Sequence, residues 1–274
     1  MNQSPSAAAN AATTAPRAAK GARFAEFRQA AIAIVAVLGG LIIWQVLSLN
    51  ISPLFLPSPS DTWAAAVELG EDGTLAKSIV ASLARIGSGW ALGILIGVPL
   101  GILMGHFRII REIFEPYIEF FRFVPPIAFI TLAVIWLGPG EESKVALIFY
   151  ATVFIIVVNM IAGVQAVSEL RLRAAASLGA SPLRTLLTVV VPSTVPFMIT
   201  GARLAMGNSF LTVVSAEIVA AQDGLGALIW TARNYGRTEW VFVGIIILGL
   251  LGYTCDRLLR IFARTFLKRY SVTV

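Results

Sequence analysis

Six long apolar runs divide the sequence, and short polar stretches separate them. The runs cover about 30–49, 78–105, 116–137, 145–164, 192–219 and 240–258. Most of them are close to or above the roughly 20 residues that an α-helix needs to cross a bilayer. The pattern therefore predicts an all-α integral membrane protein with six transmembrane helices, contained in one membrane domain at 30–268.

The ends of the chain differ in composition from this domain. Residues 1–29 begin with a stretch rich in Ala, Ser, Thr, Asn and Pro, which cannot bury a core. We predict a disordered tail at 1–29 and a short C-terminal tail at 269–274. After the first run, Ser58 followed by Pro59 predicts the capped start of a short surface helix that ends near Leu69.

Glycine recurs at every fourth position of the second apolar run, at Gly89, Gly93, Gly97, Gly101 and Gly105. On a helix this spacing forms a stripe along one face, which lets a second membrane helix pack closely against it. A phosphate-binding loop at Gly87–Gly89 is a weaker interpretation, because no strand precedes it and no Gly-Lys-Ser/Thr follows. We expect a packing face.

Two adjacent prolines, Pro125 and Pro126, interrupt the third run. Proline has no N–H, so it leaves backbone carbonyls unpaired at membrane depth. Such groups are tolerated where protein or a water-filled cavity surrounds them. The third helix is therefore predicted to face a pathway or a helix interface.

The longest polar interruption is the segment 167–191, which is followed by Pro192 and is called the polar segment below. Ser168 can cap a first short helix, Gly179 suits a left-handed residue that closes it, and Ser181-Pro182 can start a second. Its middle carries mainly alanines, so another protein can approach closely. The alternatives are a docking surface and an ordinary loop packed on its own domain.

The positive charges decide the predicted orientation. The chain has 274 residues, of which 57% are hydrophobic and 13% charged, and its net charge is +6. With the N-terminus inside, fourteen of the 21 basic residues lie on the cytoplasmic side. They are Arg17, Lys20, Arg23, Arg28, Arg108, Arg111, Arg171, Arg173, Arg184, Arg257, Arg260, Arg264, Lys268 and Arg269. The positive-inside rule then places both termini and the polar segment in the cytoplasm, and the charge needs no nucleic-acid partner.

The sequence contains no arrangement typical of a catalytic, metal or nucleotide site. A single histidine, His106, and a single cysteine, Cys255, lack the neighbours that a metal site requires. Several polar residues nevertheless lie at membrane depth, where ionisable groups are costly and often line a pathway. The candidate pathway residues are Arg122, Asn159, Arg203, Asn208, Ser209 and Glu217. Arg122 could instead pair with Glu119, and Arg203 could have a structural partner.

The polar segment carries the feature by which the chain resembles a known family. The permease subunits of bacterial binding-protein-dependent ABC importers share Glu-Ala-Ala, three residues, Gly, nine residues and Ile-x-Leu-Pro. Here Arg173-Ala174-Ala175, Gly179 and Val189-Val190-Val191-Pro192 have that spacing, with arginine in place of the glutamate. The stretches LPSPSDTW at 56–63, FVPPIAFITLAVIWLG at 123–138 and AEIVAAQDGLG at 216–226 resemble the nitrate, sulfonate, taurine and bicarbonate group.

The resemblance implies a fold, a set of partners and a role for the polar segment. The fold would be the type I (MetI-like) permease fold, with a coupling helix pair between transmembrane helices four and five. The residues that contact the ATPase would be Arg173, Ala174, Ala175, Gly179, Ala180 and Pro192.

A homodimer in the bacterial inner membrane would form the solute pathway. Two copies of a cytoplasmic ATPase would bind ATP and Mg²⁺, an extracytoplasmic binding protein would deliver solute, and this chain would hold no cofactor. The solute would be a small anion such as a sulfonate, taurine, nitrate or bicarbonate, or else another small organic solute. An ATP-independent secondary transporter and an intramembrane enzyme are the rival classes, but mid-membrane coupling carboxylates and a catalytic constellation are not evident.

Overall fold

The computed structural model describes residues 15–266, and all regular secondary structure in this range is helical. The helices are α1 (Ala15–Ser48), α2 (Pro59–Glu71), α3 (Thr74–His106), α4 (Arg108–Phe121), α5 (Ile130–Leu137), α6 (Glu141–Gln165), α7 (Glu169–Ser177), α8 (Pro182–Thr185), α9 (Val191–Ala220), α10 (Leu225–Asn234) and α11 (Thr238–Phe266). A 3₁₀ turn at Pro126–Phe129 precedes α5, and a π-helical turn at Leu186–Val190 joins α8 to α9.

The described chain divides at Asp61 into two compact units. The first unit holds α1, which starts at Ala15 and so corrects the predicted disordered tail at 1–29. Alanine has the highest helix propensity, and a helix can extend through such a stretch without burying a core. Residues 1–14 and the predicted C-terminal tail at 269–274 lie outside the described residues. The helix α2 begins where predicted, and the Asp61 N–H donates to Ser58 Oγ at 3.1 Å.

Within the described residues, five helices are long and apolar enough to cross a membrane. They are the apolar part of α1 from Ala31, α3, α6, the continuous stretch Pro182–Ala220, and α11 from Thr238 to Thr265. A sixth crossing requires that α4 be counted together with the 3₁₀ turn and α5, and these two parts meet at an angle of 92°. The protein is therefore helical and membrane-embedded, with one region that departs from a straight span.

The closest helix pair is α3 with α6. A Cβ atom built on any of the five striped glycines would lie 2.3–3.0 Å from an atom of α6. The facing residues on α6 also recur at every fourth position: Ile148, Thr152, Ile156, Met160 and Val164. The stripe thus allows the α3 backbone to lie directly against the side chains and carbonyls of α6, as the glycine spacing predicted.

The third predicted span is not one kinked helix, because α4 begins at Arg108, contains Pro116 and stops at Phe121. Pro125 cannot donate to the carbonyl of Phe121 four residues earlier. The Tyr150 hydroxyl of α6 donates to that carbonyl instead, at 2.7 Å, and lies 3.2 Å from the Val124 carbonyl. Two carbonyls at the bend, those of Phe121 and Val124, thus face a protein hydroxyl, as suits backbone at membrane depth.

The helices α4, α5, α9 and α10 each contact α3 or α6, and α11 packs on α9 and α10. The helices α6 and α9 approach each other closely at two glycines. A Cβ added to Gly163 of α6 would lie 2.8 Å from Phe197 of α9, and a Cβ added to Gly201 of α9 would lie 2.9 Å from Asn159 of α6. At the end of the bundle that contains α10, Leu225 and Leu228 pack with buried residues of α2 and α11. This packing leaves the polar segment at one end of α6 and Glu141 at the other.

The glycine stripe makes a specific prediction about stability. In Gly101→Ala the new Cβ would lie 2.5 Å from Met160 Cβ and 2.8 Å from the Val157 carbonyl oxygen. Overpacking of this kind typically costs about 1–3 kcal/mol, so the purified protein should unfold at a lower temperature. The matched control is Gly87→Ala on the same helix, where nothing lies within 4 Å of the added atom. Equal melting temperatures for the two variants would show that the stripe does not set the helix spacing.

Candidate coupling surface and solute pathway

The polar segment forms a helix, a turn and a second helix. Gly179 has φ +73°, and its N–H donates to the Ala176 carbonyl while the Ala180 N–H donates to the Ala175 carbonyl. This pair of bonds is the Schellman arrangement, which favours glycine at the left-handed position. Ser181 Oγ accepts the Arg184 N–H at 3.4 Å, as expected of a cap. The predicted cap at Ser168 is wrong, since its side chain makes no capping hydrogen bond.

The second helix of the polar segment does not end before the fifth apolar run begins at Pro192. The helix α8 passes through the π-helical turn into α9, so that Pro182–Ala220 is one continuous helical stretch. Pro192 has no N–H to donate to the Thr188 carbonyl four residues earlier, and the wider turn lies directly before it. The polar segment is therefore continuous with a helix that crosses the membrane.

A cavity of about 870 Å³ lies between α7 and the start of α9. Four of the predicted coupling residues line it: Ala174, Ala175, Ala180 and Pro192. Arg173 and Gly179 do not line this cavity. Arg173 Nη2 lies 3.0 Å from Glu169 Oε2 one turn earlier on α7, and both side chains are exposed. The unusual arginine of the motif therefore has an acidic neighbour on its own helix.

Several leucines of the polar segment are exposed, and one of them, Leu178, lines this cavity. Leu178 is 87% exposed and Leu170 is 76% exposed. Leu183 and Leu187 are also exposed in the same segment. A surface with small residues at its centre and exposed leucines around them is typical of a site that another protein covers.

Three of the six candidate pathway residues lie together at a second cavity. Arg122, Asn159 and Asn208 line a space of about 510 Å³ between the α4–α5 bend, α6 and α9. The Arg122 guanidinium lies over the Phe123 ring, 4.7 Å from its centroid. No ion pair with Glu119 forms among the described residues, so the predicted alternative for Arg122 is not observed. We call this space the Arg122 cavity.

The other three candidates lie elsewhere, and for them the pathway interpretation is corrected. Arg203 Nε donates to Asp256 Oδ1 of α11 at 2.9 Å, which is the structural partner that the alternative required. Ser209 is fully buried and donates to the Ala205 carbonyl at 2.9 Å. Glu217 is also fully buried and faces α3 and α10. The sequence indicated their depth in the membrane but not the direction of their side chains.

Sequence reasoning missed a buried ion network around Arg85 of α3. Arg85 is 3% exposed and donates to Glu141 at 2.6 and 2.8 Å, to Glu217 at 2.8 Å and to Asp223 Oδ1 at 2.6 Å. Lys144 adds a second cation, 2.8 Å from Glu141 Oε1. One arginine thus connects α3, α6, α9 and the α9–α10 loop. An arginine near the start of the second apolar run, without an acidic neighbour in the sequence, was the available signal.

The segment AEIVAAQDGLG, at 216–226, supplies the acidic side of this network. Glu217 Oε2 accepts the Gly226 N–H at 2.8 Å, and Ser82 Oγ donates to the same carboxylate. A Cβ on Gly224, whose φ is +114°, would lie 2.4 Å from the Glu217 carboxyl carbon. Gly224 and Gly226 have no Cβ, and the buried Glu217 side chain occupies the space that a Cβ at either position would need.

Asp223 lies in the loop outside the membrane-spanning helices. The hydrogen bond from Arg85 holds the pKa of the Asp223 carboxyl below its usual value. A lowered pKa means that this pair stabilises the fold above the ordinary aspartate pKa and that the contribution is lost as the pH falls through the lowered one. Asp223 is therefore ionised at neutral pH, where its contact with Arg85 contributes to stability.

Known membrane proteins share the sequence pattern of this chain. The family model described as "Binding-protein-dependent transport system inner membrane component" matches residues 97–268. The chain belongs to this family. A probable ABC transporter permease protein of Brucella melitensis is 40% identical over 217 residues, which cover 79% of this chain and 88% of that protein. The taurine transport system permease protein TauC of Escherichia coli K12 is 38% identical over 227 residues, covering 81% and 82%.

A solved structure agrees on the fold. The methionine ABC transporter MetNI, in an inward-facing conformation, matches with a TM-score of 0.59 and 17% identity over 70% of this chain and 97% of that chain. The predicted all-helical, MetI-like permease fold is confirmed, and so is the function class of an ABC importer permease. This permease is an integral membrane protein whose family consists of transport components.

The Arg85 network yields a second prediction. Replacing Arg85 with Met leaves Glu217 buried without its cation, and breaking a buried pair in this way typically costs about 3–5 kcal/mol. Thermal unfolding of the purified permease should therefore shift strongly downward. The control is Arg108→Met, because Arg108 and Glu112 form an exposed pair on α4 that contributes little.

A double variant keeps this test informative if the single variant fails to fold. In Arg85→Met/Glu217→Leu the uncompensated buried charge is removed, so stability should partly recover relative to Arg85→Met. An Arg85→Met protein as stable as Arg108→Met would show that the network does not hold the four segments together.

Proposed function

We propose that this permease forms the solute pathway of an ATP-driven importer for a small anion such as a sulfonate, taurine, nitrate or bicarbonate. Two copies of the chain form the pathway, and two copies of a separate ABC ATPase dock on the polar segments and hold ATP and Mg²⁺. An extracytoplasmic binding protein delivers the solute. The chain lies in the bacterial inner membrane with both termini in the cytoplasm.

This proposal rests on the surface of the polar segment around its cavity of about 870 Å³, which we call the coupling surface. Ala174, Ala180 and the exposed Leu178 line its cavity, and Leu170 is exposed on the same helix as Ala174. Exposed leucines and a concave centre of small residues suit a protein partner rather than water. The family membership indicates that this partner is the ATPase of the transport system.

The continuous helix Pro182–Ala220 supports a route from the ATPase to the pathway. One end of this stretch belongs to the coupling surface, and Asn208, further along the same stretch, lines the Arg122 cavity. Movement of a docked ATPase can therefore displace a pathway wall through one helix. Such a switch works only if ATP and the loaded binding protein each favour a different conformation of the assembly.

The charge at Arg173 has a smaller part in this proposal. Arg173 already pairs with Glu169, and it does not line the coupling cavity. Docking therefore rests on the shape around Ala174 and Ala175 rather than on an acid at the start of the motif. The anionic solute is supported by the similarity to a taurine permease and by the arginine at the Arg122 cavity.

The docking surface can be tested with one pair of variants on α7. Ala174→Phe fills the cavity, whereas Ala176→Phe adds the same bulk at an exposed position that does not line it. When the permease is co-expressed with the ABC ATPase of its own transport system, Ala174→Phe should lose the ATPase during purification. Ala176→Phe and Arg173→Ala should retain it.

Permease yield and melting temperature report whether each variant is folded. Retention of the ATPase by a folded Ala174→Phe permease at the wild-type ratio would contradict docking at this cavity. Loss of the ATPase from Arg173→Ala would show instead that charge at this position carries the contact.

A further inference from the structure

We propose that the Arg122 cavity is a binding site for the sulfonate or similar oxyanion group of the transported solute, within the permease itself. This inference rests on the proposed function, because it assigns to that function a site in this chain. Its volume of about 510 Å³ lies within the range of cavities that bind small molecules.

Arg122 supplies the positive charge of this site. Among the described residues Arg85 pairs with three carboxylates and Arg203 pairs with Asp256, whereas Arg122 has no carboxylate partner. Its one interaction in that part of the chain is with the Phe123 ring. An arginine in a membrane segment usually faces a partner or a water-filled cavity, and here it lines the cavity.

Two asparagines supply directed polar groups across the same space. Asn208 donates one Nδ2–H to the Ala151 carbonyl at 2.7 Å, and Asn159 donates one to the Ile155 carbonyl at 2.8 Å. These bonds fix both amides on the walls. Each amide keeps a second N–H and its oxygen for another partner. Gly201 allows α9 to approach Asn159 closely, which brings the two asparagines to one cavity.

The chemistry of these groups favours a compact oxyanion. A guanidinium presents five N–H donors and pairs well with groups that offer several oxygens on one centre. The free N–H of each asparagine can add a neutral hydrogen bond, while Tyr150 and Phe154 give the walls apolar area. The smaller cavity beside Arg203, of about 150 Å³, lacks this character because that arginine is already paired.

A charge-selective thiol probe tests this site without knowledge of the solute. The reporter is Val158→Cys on the cavity wall, in a Cys255→Ser background and in the full-length chain in membrane vesicles. It is labelled with 2-sulfonatoethyl methanethiosulfonate, which is anionic, and with the trimethylammonioethyl reagent, which is cationic. The ratio of the two rates reports the local charge and cancels changes in access.

The expected result is a preference for the sulfonate reagent that depends on Arg122. Arg122→Gln should lower the anionic-to-cationic rate ratio roughly tenfold, as removal of one nearby charge in a partly dry cavity predicts. Arg122→Lys should restore most of the ratio. Arg108→Gln, which removes an exposed arginine at the start of α4, should leave it unchanged.

Competition with a soluble sulfonate and with an anionic lipid distinguishes a solute site from a site for lipid headgroups. Methanesulfonate should slow labelling by the sulfonate reagent in the wild-type cavity and not in Arg122→Gln. The proposal is overturned if Arg122→Gln leaves the ratio unchanged, or if phosphatidylglycerol protects the thiol and methanesulfonate does not. Because the assay uses the permease without an ATPase, its failure would leave the docking proposal intact, and failed docking would leave this result intact.

Discussion

The close contact between α3 and α6 is the constraint on which the rest of the structure depends. In a bilayer, apolar side chains gain little by leaving lipid for protein, so helices associate through close packing and hydrogen bonds. Five glycines at intervals of four allow this packing along most of α3. Once α6 is fixed, its first residue, Glu141, is held beside Arg85, its middle forms a wall of the Arg122 cavity, and its last turn leads to the polar segment.

The two ends of this helix pair have different roles. At one end, Arg85 joins three carboxylates, and this end resists change because any opening would leave buried charges unpaired. At the other end, the polar segment exposes a cavity and several leucines, which suit a partner that moves. The helix from Pro182 to Ala220 extends from the polar segment past the Arg122 cavity to Glu217 in the network. A buried ion network thus lies at one end of the helix pair, and an exposed cavity lies at the other.

Local patterns in the sequence predicted much of this arrangement, whereas contacts between distant segments could not be predicted. The glycine spacing, the left-handed Gly179 and the cap at Ser58 each depend on neighbouring residues, and each has the expected geometry. The partners of Arg85 are 56, 132 and 138 residues away, so no local pattern could identify them. Depth alone also could not separate Asn208, which faces a cavity, from Ser209, which is buried beside it. The hydroxyl that pairs with the Phe121 carbonyl at the 92° bend likewise belongs to Tyr150 of another helix.

The central claim is that this chain provides a pathway and that a second protein provides the energy. The most direct measurement is uptake of labelled taurine, nitrate and bicarbonate into proteoliposomes that contain the permease, with its ATPase, its binding protein and ATP each present or omitted. One of these anions should accumulate only when all four components are present and ATP is hydrolysed on the side of the polar segment. Uptake that persists without ATP and without any second protein would contradict the account and identify the chain as a self-contained transporter.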